Sequence, residues 1–438
     1  MPRKIVYCIF LIVSAIVFAY AAYRDFRYGK DFSHDLRNRI VGARLEKDGK
    51  LPYFHNWQKG DSTRYYDPVG FGKLAVTNMT ATPFFHQLLY PLADLDQPAI
   101  KGWWLFLEYT MVVLMTAMAF SLASTDWQRS AVLAVACLFL LTDAWVQHTY
   151  DGQIYICFPF FAMAFYFFIR RDTNLLRASM AGTIAIMLVL MRPNTCFFFI
   201  PFLFLLKTYG RRYLLFFGIP VFLLTAWTMA DQQERALWQD YRMGMVEQIK
   251  MHQGLHPTQQ KNEPDPGYPR WEGVDQAAVK HADSTNPVRF YSENGNFFIP
   301  YEYIFHRRIP PMTLFLLSLG VIGLLTALFY SRIVRKGNLD PSTVALFGYA
   351  LYMVSDLFSP VYRHQYYTVQ WIFPILLMAA RVRSSLQWPF WLAVAGLLLN
   401  ISKVSFFTME HTIGEYLILA ALLALTLNTD GRLRPDTH

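Results

Sequence analysis

Residues 103–123 read Trp103-Trp104-Leu105-Phe106-Leu107-Glu108-Tyr109-Thr110-Met111-Val112-Val113-Leu114-Met115-Thr116-Ala117-Met118-Ala119-Phe120-Ser121-Leu122-Ala123. A single carboxylate, Glu108, is the only charge in this run. A helix rises about 1.5 Å per residue, so a run of this length crosses roughly 30 Å of hydrocarbon. Working outward, similar apolar runs recur near 5–23, 130–147, 154–169, 177–191, 196–206, 213–230, 312–330, 341–358, 366–380, 386–401 and 412–428, which makes twelve in all. Some are short or interrupted by Pro159, Pro201 and Pro220. Such prolines are tolerated in a bilayer where neighbouring helices satisfy the freed backbone groups. Apolar residues make up 54% of the chain and charged residues only 16%, which overrules a reading as two or three soluble domains. The chain is read as an all-α polytopic membrane protein.

Two polar stretches divide it. Residues 1–230 form an N-terminal membrane part whose first outer loop is 24–101. Residues 231–309 form a second long outer loop, and 310–438 a C-terminal membrane part. The second loop is rich in Pro, Gly, Gln, His and Asn, so irregular structure is expected there with a little helix near 232–252. Lysine and arginine set the orientation. With the N-terminus inside, sixteen of them fall on inner segments, and only Arg192, Arg363 and Lys403 on short outer loops. Twelve spans with both termini inside follow. Ala19-Tyr20-Ala21 resembles a signal-peptidase site, but the preceding run is long and its removal would leave an odd number of spans. The first span is therefore expected to stay.

The net charge of +9 does not point to nucleic acid, because the basic residues are scattered through short connectors. Cys8, Cys137, Cys157 and Cys196 all lie in or beside apolar runs. Neither a disulfide framework nor a CxxC metal site is expected.

Charge within spans is costly and usually functional. Glu108, Asp143 and Asp356 fall near the outer ends of their runs, with Arg192, Arg363, His148, Asp151 and His364 in the adjoining short outer loops. Arginine grips phosphate with a planar fork of donors, so Arg192 and Arg363 suit an anionic lipid headgroup. The plainer alternatives are a helix-ending Arg-Pro for Arg192 and a salt bridge to Asp356 for Arg363. The stretch Asp31-Phe32-Ser33-His34-Asp35-Leu36-Arg37-Asn38-Arg39 follows the first span. From Ser33 to Lys47 it reads as an amphipathic helix lying in the interface, with Leu36, Ile40, Ala43 and Leu45 on one face, Arg37, Arg39, Arg44 and Lys47 on the other, and Gly49 at its end. Asp35 or Asp31 can serve as a general base for transfer to a hydroxyl, or merely complement the helix dipole. Tyr53, His55, Trp57, Tyr65, Tyr66, Phe84, Phe85 and His86 can stack on sugars or sit in the headgroup layer. Asn78-Met79-Thr80 matches a glycosylation sequon that is frequent by chance.

Several stretches together resemble glycosyltransferase family 87 of the GT-C superfamily, the polyprenyl-phosphate-mannose-dependent mannosyltransferases. They are Asp35-Leu36 followed by Gly42-Ala43-Arg44 and Gly49-Lys50-Leu51-Pro52-Tyr53; Thr82-Pro83-Phe84-Phe85 with Tyr90-Pro91-Leu92; Gly152-Gln153-Ile154; Arg192-Pro193; and Ser359-Pro360 followed by His364. The resemblance covers roughly 5–210 and 340–375. Tyr155 stands where the family has Asn, Arg192 where Lys is commoner, and Arg363-His364 or His364-Gln365 where His-His is usual; the 231–309 loop has no counterpart in it.

The resemblance implies a GT-C-like bundle with interfacial helices in the first outer loop. It also implies inverting transfer of a mannose-like sugar from a polyprenyl phosphate to a lipid or glycan acceptor. Asp35 takes the role of general base, with Asp31 as the back-up. Arg363, His364 and Arg192 would attend the donor phosphate. Gln153, Tyr53, His86 and Glu108 are expected to face sugar or acceptor. The first loop holds one Asp-x-Asp triplet, Asp94-Leu95-Asp96, at its far end from Asp35; no cofactor or metal is expected. The expected setting is a bacterial cytoplasmic membrane, in contact with membrane lipids and with the reaction centre outside. A polysaccharide polymerase or ligase leaning on the 231–309 loop, a lipid or small-molecule transporter, and a non-catalytic scaffold are the alternatives. A transporter would place its charge nearer mid-membrane.

Overall fold

The computed structural model describes residues 3–28, 34–57, 60–66, 75–76, 79–170, 174–206, 208–252, 295–337, 339–382, 387–401 and 409–428. Seventeen helices run along these residues. They are α1 (Arg3–Tyr28), α2 (His34–Lys47), α3 (Pro83–Leu88), α4 (Gln97–Leu122), α5 (Asp126–Leu140), α6 (Asp143–Asp151), α7 (Cys157–Ile169), α8 (Leu175–Met191), α9 (Phe202–Leu206), α10 (Arg211–Ala230), α11 (Gln232–His252), α12 (Phe298–Phe305), α13 (Pro311–Phe329), α14 (Pro341–Leu357), α15 (Ile372–Arg381), α16 (Trp388–Leu398) and α17 (Glu410–Leu427). Tighter seven-residue 3-10 helices precede α9 at Pro193–Phe199 and α15 at Gln365–Trp371. The one exception to all-helical structure here is a two-residue antiparallel ladder in the first loop, β1 (Asn56–Trp57) against β2 (Ala75–Val76).

All twelve apolar runs coincide with helical residues. Among the described residues five helices are long and apolar enough to cross a membrane: Tyr7–Arg27, Gln97–Leu122, Arg211–Ala230, Pro311–Val334 and Glu410–Leu427. A sixth is reached if α5 and α6, bent by 57° at Leu141-Thr142, form one span. The outward faces agree with a lipid environment. Leu215, Phe222, Leu223 and Met229 of α10 and Met312, Phe315, Leu316 and Leu324 of α13 are all exposed. In water, apolar patches of that extent would need a partner.

Local chemistry starts and stops the helices around the centre. Thr125 and Gln128 cap α5 reciprocally, and the Gln128 side chain also donates to the Val382 carbonyl (2.9 Å), tying α5 to the end of α15. Thr142 caps α6 through the Trp145 amide (3.1 Å), and Gly152, at φ 67°, ends it in the left-handed conformation that glycine adopts without strain. Asp340 caps α14 through the Thr343 amide (2.9 Å). The main apolar core, from Ala21 to Leu425, draws on both membrane parts, with α14 and α15 buried along nearly their whole length; two smaller clusters, around Tyr53 and around Phe298, lie beside it.

α2 covers the expected residues, buries Leu36, Ile40, Ala43 and Leu45, and is followed by Gly49 at φ 71°. Its basic face differs from expectation. Arg39 and Glu46 are buried along with the apolar face. Arg44 turns inward and donates to the carbonyls of Ala93 (2.6 Å), Arg64 (3.1 Å) and Leu95 (3.2 Å). The two arginines satisfy backbone carbonyls that would otherwise lack partners, so they are not free to face headgroups. The helix expected near 232–252 is α11.

The approach of α14 to the turn after Arg192 fixes the centre. A Cβ on Gly348 would lie 2.2 Å from the Phe198 carbonyl oxygen, a backbone atom with little freedom to retreat. Gly348→Ala is therefore expected to lower thermal stability by about 1–3 kcal/mol, the usual cost of overpacking. Gly320→Ala on α13 meets nothing within 4 Å and should leave the melting temperature unchanged. Equal melting temperatures for the two variants would show that this contact does not constrain the fold.

Candidate active site

Two groups of polar side chains face each other at one end of the helices. The first is built on α2 and the end of α6. Asp35 is half-buried in the first turn of α2, and its Oδ2 accepts a hydrogen bond from Gln153 Nε2. Gln153 is wholly buried, and its Oε1 accepts from Arg39 Nη2 (2.9 Å). Arg39 Nη1 also donates to the Gly152 carbonyl (3.1 Å). Because Arg39 has only donors, it fixes which end of the Gln153 amide faces it, and the NH2 end must then face Asp35. The Gln153 carbonyl accepts from Trp104 Nε1 (3.2 Å), so the residue is pinned from three directions. Asp151, two residues before Gln153, feels the Asp35 carboxylate as a like charge and Lys101 and Arg39 as opposite ones.

The second group centres on Asp356, near the end of α14. Oδ1 accepts from Arg192 Nη2, and Oδ2 from Arg363 Nη1 (3.0 Å) and Gln370 Nε2 (3.3 Å). Arg363 is 1% exposed, and its Nη2 also reaches Glu415 Oε1 (2.8 Å) on α17. Trp371 Nε1 (2.8 Å) and Thr368 Oγ1 (3.1 Å) donate to that same oxygen. Aromatic rings wrap the cations. The Arg192 guanidinium lies 5.3 Å from the rings of Tyr155 and Phe158 and 5.4 Å from that of Tyr367. Tyr155 and Tyr367 are themselves 3.9 Å apart.

A cavity of about 720 Å³, including its open mouth, touches the second group and, of the first group, Arg39 but not Asp35 or Gln153. Arg39, Arg192, Arg363 and Asp356 line it, with Thr80 and Ala81 on one wall and Tyr241, Met245 and Gln248 of α11 on another. The expected phosphate residues Arg192 and Arg363 thus come together, and Asp35 joins Gln153. His364 lies further round, its ring 5.4 Å from Tyr366. Asp31 lies outside the described residues.

None of the expected sugar or acceptor residues, Gln153 included, lines this cavity. Tyr53 is buried one layer behind its wall, donating to the Ala81 carbonyl (2.7 Å) and packed against His86 and Tyr241. His86 Nδ1 lies 3.3 Å from Glu46 Oε2, and Tyr90 donates to the other Glu46 oxygen (3.2 Å). Burial, with Glu46 nearby, raises the neighbouring Glu234 carboxyl above its usual range. Glu108 is wholly buried on α4, with Oε1 3.2 Å from His148 Nδ1 but without hydrogen-bond alignment. The Ile156 amide donates to His148 Nε2 (3.2 Å), which leaves the ring proton on Nδ1, towards Glu108. Among the described residues no three His, Cys, Asp or Glu side chains are grouped so as to hold a metal ion.

Sequence reasoning passed over Arg39 as one of several basic positions on α2. Its spacing of four from Asp35 was the available signal, since such residues share a helix face. It also passed over Glu415, an acid inside the 412–428 apolar run, and the α11 side chains.

Residues 80–262, about 42% of the chain, match the family model for glycosyltransferase family 87. The matched span takes in His86, Glu108, Gln153 and Arg192, and runs through α11 into the loop for which the sequence motifs had no counterpart. It begins after Asp35 and ends before Arg363. No curated protein matches the chain. Together with the helical membrane architecture, the match supports a GT-C-type glycosyltransferase in general terms.

Proposed function

We propose that the protein transfers a mannose-like sugar from a polyprenyl phosphate to a hydroxyl of a lipid or glycan acceptor, with inversion, on the outer side of a bacterial cytoplasmic membrane. The observation that carries this reading is the bridge from Asp35 through Gln153 to Arg39 at the wall of a cavity rich in arginine. A carboxylate able to take a proton is linked, through Gln153 and Arg39, to a space suited to a phosphate. The family match over 80–262 supports the same class of chemistry.

In this mechanism Asp35 accepts the acceptor's hydroxyl proton while that oxygen attacks the anomeric carbon. The bond from the anomeric carbon to the phosphate oxygen breaks, and polyprenyl phosphate departs with the bonding pair. The Gln153 amide, donating to Oδ2 of Asp35, leaves Oδ1 for the acceptor and fixes the carboxylate plane. Charge on the departing phosphate is met by donors already fixed in the cavity wall, the arrangement that stabilises a transition state without reorganisation. Arg192 and Arg363 belong to that wall; His364, which does not line it, is proposed to approach the phosphate as well. A nucleotide sugar does not fit this reading, since its pool is cytoplasmic. The proposed topology keeps twelve spans, both termini inside, with 24–101 and 231–309 outside as loops between the two membrane parts.

Asp35→Asn removes the proton acceptor and keeps the shape. It is expected to cut transfer of labelled sugar from polyprenyl phosphate by about a hundredfold or more, the usual weight of a general base. Membrane insertion and donor binding should persist. Undiminished transfer would refute the base assignment, and movement of the lipid across the bilayer with no new glycosidic bond would favour a transporter. For the topology, Gly60→Cys is expected to react with an impermeant thiol reagent added to intact cells. Reaction only after the membrane is opened would reverse the orientation.

A further inference from the structure

Three guanidinium groups line the cavity, and their charge environments differ. Arg192 is paired with Asp356, and Arg363 with both Asp356 and Glu415. Two cations and two carboxylates balance there, all but Arg192 wholly buried. Arg39 is different. It is 6% exposed, its hydrogen bonds go to the neutral oxygens of Gly152 and Gln153, and no carboxylate lies within ion-pair range of it among the described residues. Asp35 is held off by the intervening Gln153 amide, and Asp151 acts on Arg39 only at longer range.

A buried guanidinium without a paired anion is costly, and the cost is relieved when an anion arrives. Two of its five N–H donors are engaged, which leaves three for a ligand. We propose that Arg39 is the principal binding residue for the phosphate of the lipid-linked donor, an inference that rests on the glycosyl-transfer reading above. Arg192 and Arg363 then shape the wall and tie α14 to its neighbours, with most of their charge already answered. The placement has a second consequence. The guanidinium that grips the phosphate also holds Gln153, whose amide faces the proton-accepting Asp35. Donor and base are registered by one side chain.

The test uses the full chain in phosphatidylcholine nanodiscs and polyprenyl monophosphate, the leaving group, so that binding is read without turnover. The native protein is expected to bind it saturably. Arg39→Gln should weaken binding about tenfold or more, because it removes a charge-assisted fork. Arg39→Lys should weaken it about threefold or more, because a point charge cannot replace that fork. If Arg39→Gln does not reach the membrane folded, Arg39→Lys decides. Native-like affinity in the folded variants overturns the assignment to Arg39 and leaves the proposed reaction standing. Failure of the native protein to bind polyprenyl monophosphate overturns both. Phosphatidylglycerol serves as the comparison. Binding to it as strong as to polyprenyl monophosphate would assign Arg39 to ordinary anionic lipid and overturn the donor role.

Discussion

Asp356 sits between two guanidinium groups, one from a distant part of the chain and one from the turn that follows its own helix. Arg192 comes from the end of α8, Arg363 from the segment after α14, and Arg363 reaches on to Glu415 of α17. The Arg192 and Glu415 contacts are remote in sequence, while Arg363 lies seven residues after Asp356. A buried network of this kind is weak evidence for net stability, because desolvating the ions opposes their attraction. Breaking it is another matter, since removal of one partner leaves a bare charge in a dry core. It fixes the relative register of three helices at the end where the cavity opens. Gly348 works to the same end by letting α14 approach the Phe198 backbone.

The parts of the fold legible in sequence are those governed by local rules. Twelve apolar runs mark helical residues because the need for internally bonded backbone in lipid leaves little else. The bounds of α2, its apolar face and the glycine beyond it follow from periodicity and capping, as does α11. What was not legible depended on tertiary partners. Arg39 and Arg44 look like a solvent-facing or headgroup-facing stripe until the Gly152, Ala93 and Leu95 carbonyls are brought to them. Glu415 looks like a blemish in an apolar run until Arg363, Thr368 and Trp371 converge on it. The plain alternative for Arg363, a salt bridge to Asp356, is present in the structure alongside its place in the cavity wall.

Tyr155 illustrates how a departure from a family pattern is absorbed. Where the family has Asn, this chain has a ring lying 3.9 Å from that of Tyr367 and beside the Arg192 guanidinium. An amide there would offer hydrogen bonds; a ring offers a π face, which attracts the cation without neutralising it. The wall thereby becomes flatter and less polar.

The same end of the molecule shows why a short motif carries so much of the geometry. Gly152 must take a left-handed conformation to end α6. That turn directs its own carbonyl to Arg39 and sends the next residue, Gln153, back towards α2. A residue with a Cβ at position 152 would be strained there and would swing both acceptors away from Arg39. Without those acceptors the Gln153 amide loses the donor that sets its orientation, and Asp35 loses its fixed neighbour. Asp35 therefore owes its setting less to its own helix than to the left-handed glycine 117 positions later in the sequence. Its role as a helix-start acid and its proposed role as a base are compatible, but only the second requires Gln153.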